Sequence, residues 1–399
     1  MPMQQFFKDL SLSAFTAGFV AVLVGFTSSV AIVFQAAQAF HATPAQITSW
    51  VWALGLGMGL CSLVPSLWLR KPVMVAWSTP GAAVLATAGL AGSFTMADAV
   101  GAFLVCAALI TLVGVTGWFE RAMDRIPMEI ATALLAGVLA RFGLDAFAAA
   151  QTALPLVLVM LATYLLARRL WLRYAVVLTL LAAIAWASSS GQMAWSAVTL
   201  ELARPEFTAP RFSWSALVSL ALPLFVVTMA SQNLPGVAVI RATGYHLPVS
   251  GILTLTGVAT LLLAPFGAFA LNLSAITAAI CMGSEAHPDP QRRYTAAVSC
   301  GALYVVIGLF GAVITGLLTA FPKELVVAIA GLALLGTIGS GLAAALRDEA
   351  HREAALITFL VTLSGVSLAG VGSAFWGVVA GSAALFVQQY ARKPPPRPE

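Results

Sequence analysis

From about residue 12 to residue 391 the chain is one apolar segment after another, parted by short polar loops. Backbone N–H and C=O groups in lipid have no water to bond, so only helices or closed barrels can span. A helical span needs ~20 apolar residues, and the segments are read as helices on that measure. Composition agrees: 60% of residues are hydrophobic and 9% charged, against about 45–50% and about 25% in soluble domains. The apolar segments take up nearly all of the 399 residues, so no separate globular domain is left over. An all-α polytopic membrane protein is expected.

The segments lie near 12–36, 47–68, 73–91, 97–118, 127–143, 153–167, 171–188, 214–236, 248–264, 267–283, 294–318, 324–345, 354–368 and 372–391. That makes about fourteen, two of them short and broken. Lys8 precedes the first long apolar run and no small-residue cleavage site follows, which reads as a retained first helix rather than a signal peptide. If the termini are cytoplasmic and the segments alternate sides, sixteen of the 20 Lys and Arg residues fall inside; only Arg141, Arg204, Arg211 and Lys323 fall outside. This bias is what orients a membrane protein, and it explains the net charge of +5 without nucleic acid. A polar connection, 189–213, divides the chain into seven segments before and seven after. An odd number per half makes the halves inverted repeats.

Residues 72–83, PVMVAWSTPGAA, break the third segment. Val73 to Trp77 reads as a short strand, followed by Thr79 as an N-cap and Pro80 at the first helical position. The half-helix ends near Ala91, so its ~18 Å stops inside the bilayer. The tenth segment, APFGAFALNLSAITAAICMG, breaks at the matching place in the second half. Pro265 and Gly267 precede an extended run, Phe269 to Leu271, and Asn272 or Ser274 then caps a half-helix ending near Gly283. Paired interruptions of this kind point to a transporter's central site, where half-helix N-termini offer N–H groups and a positive dipole end to an anion.

Nothing in the sequence argues for an enzyme, since it has no nucleophile elbow, H-E-x-x-H or Gly-rich phosphate loop. No metal-ligand cluster or cofactor motif is read. Cys61, Cys106, Cys281 and Cys300 lack paired spacing and are expected as inert apolar residues, and the four histidines as loop-surface residues. In the eighth segment Ser231, Gln232 and Asn233 precede Pro235 in an apolar helix. They suit substrate recognition, with interhelical bonding and kink repair as the competing reading. Thr27, Ser28, Ser29 and Gln35 form the matching group in the first segment, where packing is the competing role. Trp77, beside Ser78 and Thr79, and Phe269 are candidate cavity walls. Aromatic walls between two positive helix ends favour a ligand that is part ring and part carboxylate. Glu129, two residues after Pro127, reads as a helix-start acid, with proton carriage as the competing role.

The runs KPVMVAWSTPGAAVLATAG, ASQNLPGVAVIRATGYH and FGAFALNLSAITAAICMG resemble the BenE family of bacterial benzoate:proton symporters, over essentially the whole chain. That family looks related in fold to nucleobase/proton and sulfate/bicarbonate transporters. The resemblance implies two inverted repeats of seven and a core domain of segments 1–4 and 8–11, spanning 1–118 and 214–318. Segments 5–7 and 12–14, spanning 119–188 and 319–399 with the cytoplasmic tail, would form a gate domain; 189–213 would be the external connection. It also implies alternating access in a bacterial inner membrane and allows a homodimer. Benzoate or a similar aromatic carboxylate, protons and membrane lipid are the expected partners. Where the nucleobase carriers use buried glutamates on segments eight and ten, this chain has Gln232 and, at the tenth segment, Leu271, Asn272 or Leu273. A facing glutamate would repel a carboxylate, so the exchange fits the substrate. The expected substrate-binding set is Trp77, Ser78, Thr79, Gly81, Gln232, Asn233, Phe269, Leu271, Asn272, Ser274, Ser28 and Gln35.

Overall fold

A computed structural model describes residues 2–27, 29–91, 94–124, 126–171, 174–193, 202–310, 321–366, 368 and 373–389. Its main elements are α1 (Leu12–Thr27), α2 (Val30–Ala39), α3 (Pro44–Leu69), β1 (Val75–Trp77), α4 (Thr79–Ala91), α5 (Met96–Thr116), α6 (Met128–Ala148), α7 (Ala150–Leu170) and α8 (Ala175–Ser189). After the connection come α9 (Trp214–Ala242), α10 (Val249–Leu263), β2 (Leu271–Leu273), α11 (Ile276–Met282), α12 (Tyr294–Leu309), α13 (Lys323–Ala345), α14 (Arg352–Ser364) and α15 (Ser373–Gln389).

Six helices among the described residues are long and apolar enough to cross a bilayer: α3, α5, α6, α7, α9, and α10 continued to Phe266. The pair Lys323–Gly336 and Ile338–Ala345, bent by 41°, makes a seventh if taken as one span. Helix length alone therefore yields six or seven spans where the hydropathy reading expects about fourteen. Among the described residues, the other apolar stretches form shorter helices or broken elements. The first apolar segment divides at Ser29 into α1 and α2 instead of running through.

Local chemistry sets the helix starts. Thr43 and Gln46 form a capping box ahead of α3 with Pro44 in the first turn, and Thr95 with Asp98 does the same for α5. The helices pack through small residues, as they do where lipid offers no hydrophobic drive between them. On α3 an ideal Cβ at Gly55 would fall 2.7 Å from Gly308 Cα, so α3 and α12 touch backbone to backbone. Residues 202–213 lie across helix ends: Glu206 N–H donates to Ser49 Oγ at 2.9 Å and Arg211 N–H to Ala97 O at 2.9 Å.

All four cysteines are buried and free, as expected. One histidine departs from expectation. His287 is buried, because its Nδ1 accepts the Asp289 N–H at 2.9 Å and folds the ring into its own loop; His41 and His246 are exposed.

Candidate functional site

The two broken elements meet. β1 and β2 pair antiparallel with Val75 opposite Leu273, Ala76 opposite Asn272 and Trp77 opposite Leu271. Two further bonds continue the ladder: Ser78 N–H to Ala270 O at 3.2 Å and Ser274 N–H to Met74 O at 3.0 Å. The residue after each strand thus bonds the residue before the other.

Each of those serines also caps the half-helix that follows. Ser78 Oγ accepts Gly81 N–H at 3.1 Å, and Ser274 Oγ accepts Thr277 N–H at 3.3 Å. The caps are therefore Ser78, one residue before the expected Thr79, and Ser274 rather than Asn272. Thr79 falls inside α4, and Asn272 is held within the strand pair. β2 spans Leu271–Leu273, two residues beyond the expected Phe269–Leu271, and β1 starts at Val75 rather than Val73. The register follows the cross-strand partners, which lie about 200 residues away in sequence and leave no local mark.

A two-stranded sheet has two outer edges, and because both strands are largely buried their N–H groups must be satisfied within the protein. On β1, Ser66 Oγ accepts Val73 N–H and Ser62 Oγ accepts Val75 N–H, both at 2.9 Å. On β2, Thr260 Oγ1 accepts Leu271 N–H at 3.3 Å and Asn233 Oδ1 accepts Leu273 N–H at 2.9 Å. Thr228 Oγ1 donates to Ser78 Oγ at 2.9 Å, linking α9 to the first cap. Ser62, Ser66, Thr228 and Thr260 are not among the residues expected from the sequence. The one available signal was hydroxyls recurring on a single face of an apolar helix, such as Ser62 and Ser66 four apart.

Asn233 and Gln232, adjacent in a π-helical turn spanning Met229–Asn233, part company. Asn233 is fully buried as the brace of β2, with Nδ2 donating to Met229 Sδ at 3.2 Å. Gln232 is partly exposed, and its side chain has no hydrogen-bond partner among the described residues. Pro235 explains the wide turn, since its ring would clash with the carbonyl four residues back in a regular helix.

Trp77 Nε1–H donates to Ser29 Oγ at 2.9 Å, and its ring meets Phe26 edge-on at 5.5 Å. Phe269 is fully buried against Trp50 and Phe103, at centroid distances of 5.7 and 5.9 Å, so protein rings surround it where an open wall was expected. Leu271 is fully buried, with its Cδ1 2.6 Å from where a Cβ on Gly57 would lie. An ideal Cβ at Gly81 would come within 2.6 Å of Leu224 Cδ1 and 2.7 Å of Ser78 Oγ. Gln35 is exposed on α2, and Ser28 lies outside the described residues.

A cavity of ≈ 330 Å³ opens between α6, α13 and the C-terminal end of α11, with Thr132, Thr243, Gly283, Arg293 and Ser340 in its wall. Arg293 donates from Nη1 to Met282 O at 2.8 Å and from Nε to His287 O at 2.7 Å, capping the end of α11 with positive charge. Nearby, Arg168 Nη1 lies 3.8 Å from Glu285 Oε1, joining the end of α7 to the loop after α11. Burial pushes the Glu285 carboxyl above the usual carboxylate range, partly countered by Arg168. Glu129 sits in the first turn of α6, within 4.8 Å of ligand atoms of Asp348 and His351. Its neighbours in space are more than 200 residues away in sequence, so the local pattern around Glu129 does not reveal them.

Comparison with known proteins supplies the family. The chain is 48% identical over 371 residues to the inner membrane protein YdcO of Escherichia coli K12, covering 93% of this chain and 94% of that protein. It is 40% identical over 380 residues to the benzoate membrane transport protein of Acinetobacter baylyi ADP1, covering 95% and 96%. Among solved structures it is similar to SLC26A9, with a TM-score of 0.48 at 11% identity, covering 96% of this chain and 65% of that one. The family described as benzoate membrane transport protein, BenE, matches residues 8–387, and the chain belongs to that family of membrane transport proteins.

Proposed function

We propose that this protein imports benzoate, or a closely similar aromatic carboxylate, with protons by alternating access across a bacterial inner membrane. The observation that carries the reading is the crossing itself, where two strand and half-helix elements from opposite halves pair antiparallel and are capped by equivalent serines. About fourteen segments then form two inverted repeats of seven, with both termini cytoplasmic. A core of residues 1–118 and 214–318 carries the site, moving against a gate of 119–188 and 319–399 that also supports a homodimer. The cavity beside Gly283 and Ser340 supports a cytoplasmic approach between the two.

Ser78, Thr79, Gly81, Gln232, Asn272 and Ser274 surround the carboxyl group, and Trp77 walls the ring. Asn233, Leu271 and Phe269 hold the strands around it. The name of the Acinetobacter relative supports benzoate as the substrate. The proton travels with the substrate or on water held by Gln232 and Asn272, since moving a neutral pair avoids carrying an uncompensated charge through the bilayer.

Uptake of labelled benzoate into proteoliposomes tests this. Accumulation should rise with an inward proton gradient and barely respond to a potassium-diffusion potential at constant pH. Flux that follows only the anion gradient and the membrane potential would identify an anion channel and overturn the proposal. A panel of nucleobases and aliphatic anions as competitors checks the substrate class.

A further inference from the structure

Asn272 is fully buried at the middle of β2, and its side chain has a fixed orientation. Nδ2 donates to Ala270 O at 3.0 Å. A carbonyl oxygen can only accept, so the NH2 must face it and the amide oxygen must turn away. That oxygen, Oδ1, is buried and has no hydrogen-bond partner among the described residues. A buried acceptor left without a donor costs stability, so its retention needs an explanation. The local backbone adds a second cost. Ala270 adopts a φ of 36°, a left-handed conformation that alanine rarely takes, and its carbonyl receives both Asn272 Nδ2 and the Ser78 N–H. The chain is strained at the residue that aims the Asn272 oxygen.

The rest of the crossing is equally short of groups that suit a charged carboxylate. The hydroxyls of Ser78 and Ser274 already take Gly81 N–H and Thr277 N–H, so the half-helix starts are partly satisfied from within. None of the residues proposed around the carboxyl group is Lys, Arg or His. An ionised carboxylate has no hydrogen to donate and would set its own acceptors against Oδ1. Burying it unpaired would add a desolvation cost.

We infer that the site takes its ligand as the neutral aromatic carboxylic acid, with the acid O–H donated to Asn272 Oδ1 and the acid carbonyl accepting from the Gln232 amide. The inference rests on the proposed reading of the crossing as the substrate site and deepens it. The coupled proton is then the substrate's own, bound at a stated atom, and Asn272 selects the protonation state.

Equilibrium binding to the purified full-length protein tests this with three ligands of nearly one shape. Benzoate affinity should fall about tenfold for each pH unit above the ligand's own pKa. Benzamide, uncharged and carrying N–H donors, should compete with an affinity that does not change over the same range, which controls for titration of the protein. Methyl benzoate has no donor and should compete at least about tenfold less well than benzamide. In Asn272→Leu, which removes the orphan acceptor at similar volume, benzamide should fall to the level of the ester. Benzoate binding that is flat with pH, or an ester that matches benzamide in the parent protein, would overturn the inference and leave the site standing. If none of the three binds at any pH, or if Asn272→Leu changes nothing, the reading of the crossing as the substrate site fails, and the inference with it.

Discussion

Ser29 Oγ accepts the indole N–H of Trp77 at 2.9 Å and donates to Gly25 O at 3.0 Å, so the break in the first apolar segment is tied to the strand of the third. Both residues are buried. Ser29→Ala leaves the indole N–H without a partner, and a loss of about 1–3 kcal/mol is expected. Thermal unfolding in detergent should show a lower midpoint for Ser29→Ala. An unchanged midpoint would mean that the indole finds another acceptor.

Gly81 stands where the first half-helix, Ser78 and Leu224 converge. Gly81→Val introduces a Cβ within 2.6 Å of Leu224 Cδ1, and overpacking of this kind costs roughly 1–3 kcal/mol. Benzoate binding should be lost while the protein still runs as a single species in size-exclusion chromatography. Affinity equal to the parent would place the ligand away from this helix end.

Gln232 and Asn233 should separate cleanly on mutation. Asn233→Ala removes the acceptor of Leu273 N–H and should destabilise the fold by about 1–3 kcal/mol. Gln232 is partly exposed with no partner among the described residues, so Gln232→Ala should leave the melting temperature nearly unchanged and weaken benzoate binding at least about tenfold. Isothermal titration paired with thermal unfolding distinguishes the two effects.

Arg204 and Glu349 are both exposed and are expected on opposite faces of the membrane. The four native cysteines are buried and free, so they are shielded from an impermeant reagent and a background without them loses no disulfide. In whole cells an impermeant maleimide should label Arg204→Cys and spare Glu349→Cys. The reverse pattern would end the inverted-repeat argument.

Glu285 holds its proton more tightly in this arrangement than it would in water, because burial disfavours the charged form more than Arg168 favours it. The arrangement therefore gains stability as pH falls. That gain is complete below the ordinary glutamate range and is lost as pH rises through the raised pKa. Glu285→Gln should melt higher than the parent at neutral pH, with the difference vanishing in acid. A constant difference across pH would show that Glu285 does not titrate in this window.

Much of the architecture can be read from local residue chemistry. The apolar segments dictate helices because lipid tolerates little else, and Pro80, Gly81, Pro265 and Gly267 mark the two breaks because each restricts or frees the backbone on its own. The reach of the first half-helix, to Ala91, follows from the same local pattern. Partners remote in sequence decided the rest. The ladder between Ala76 and Asn272 set the strand register, and with it Ser78 and Ser274 became the caps. Ser66, Thr260 and Ser62 lie only 7, 11 and 13 residues before the N–H each accepts, whereas Asn233, 40 residues before Leu273, closes a sheet edge only because packing brings α9 alongside. Phe269 entered a ring cluster with Trp50 and Phe103 for the same reason. A hydrogen bond or a ring contact needs two groups in one place, and for residues this far apart in the chain only the folded packing of helices brings them there.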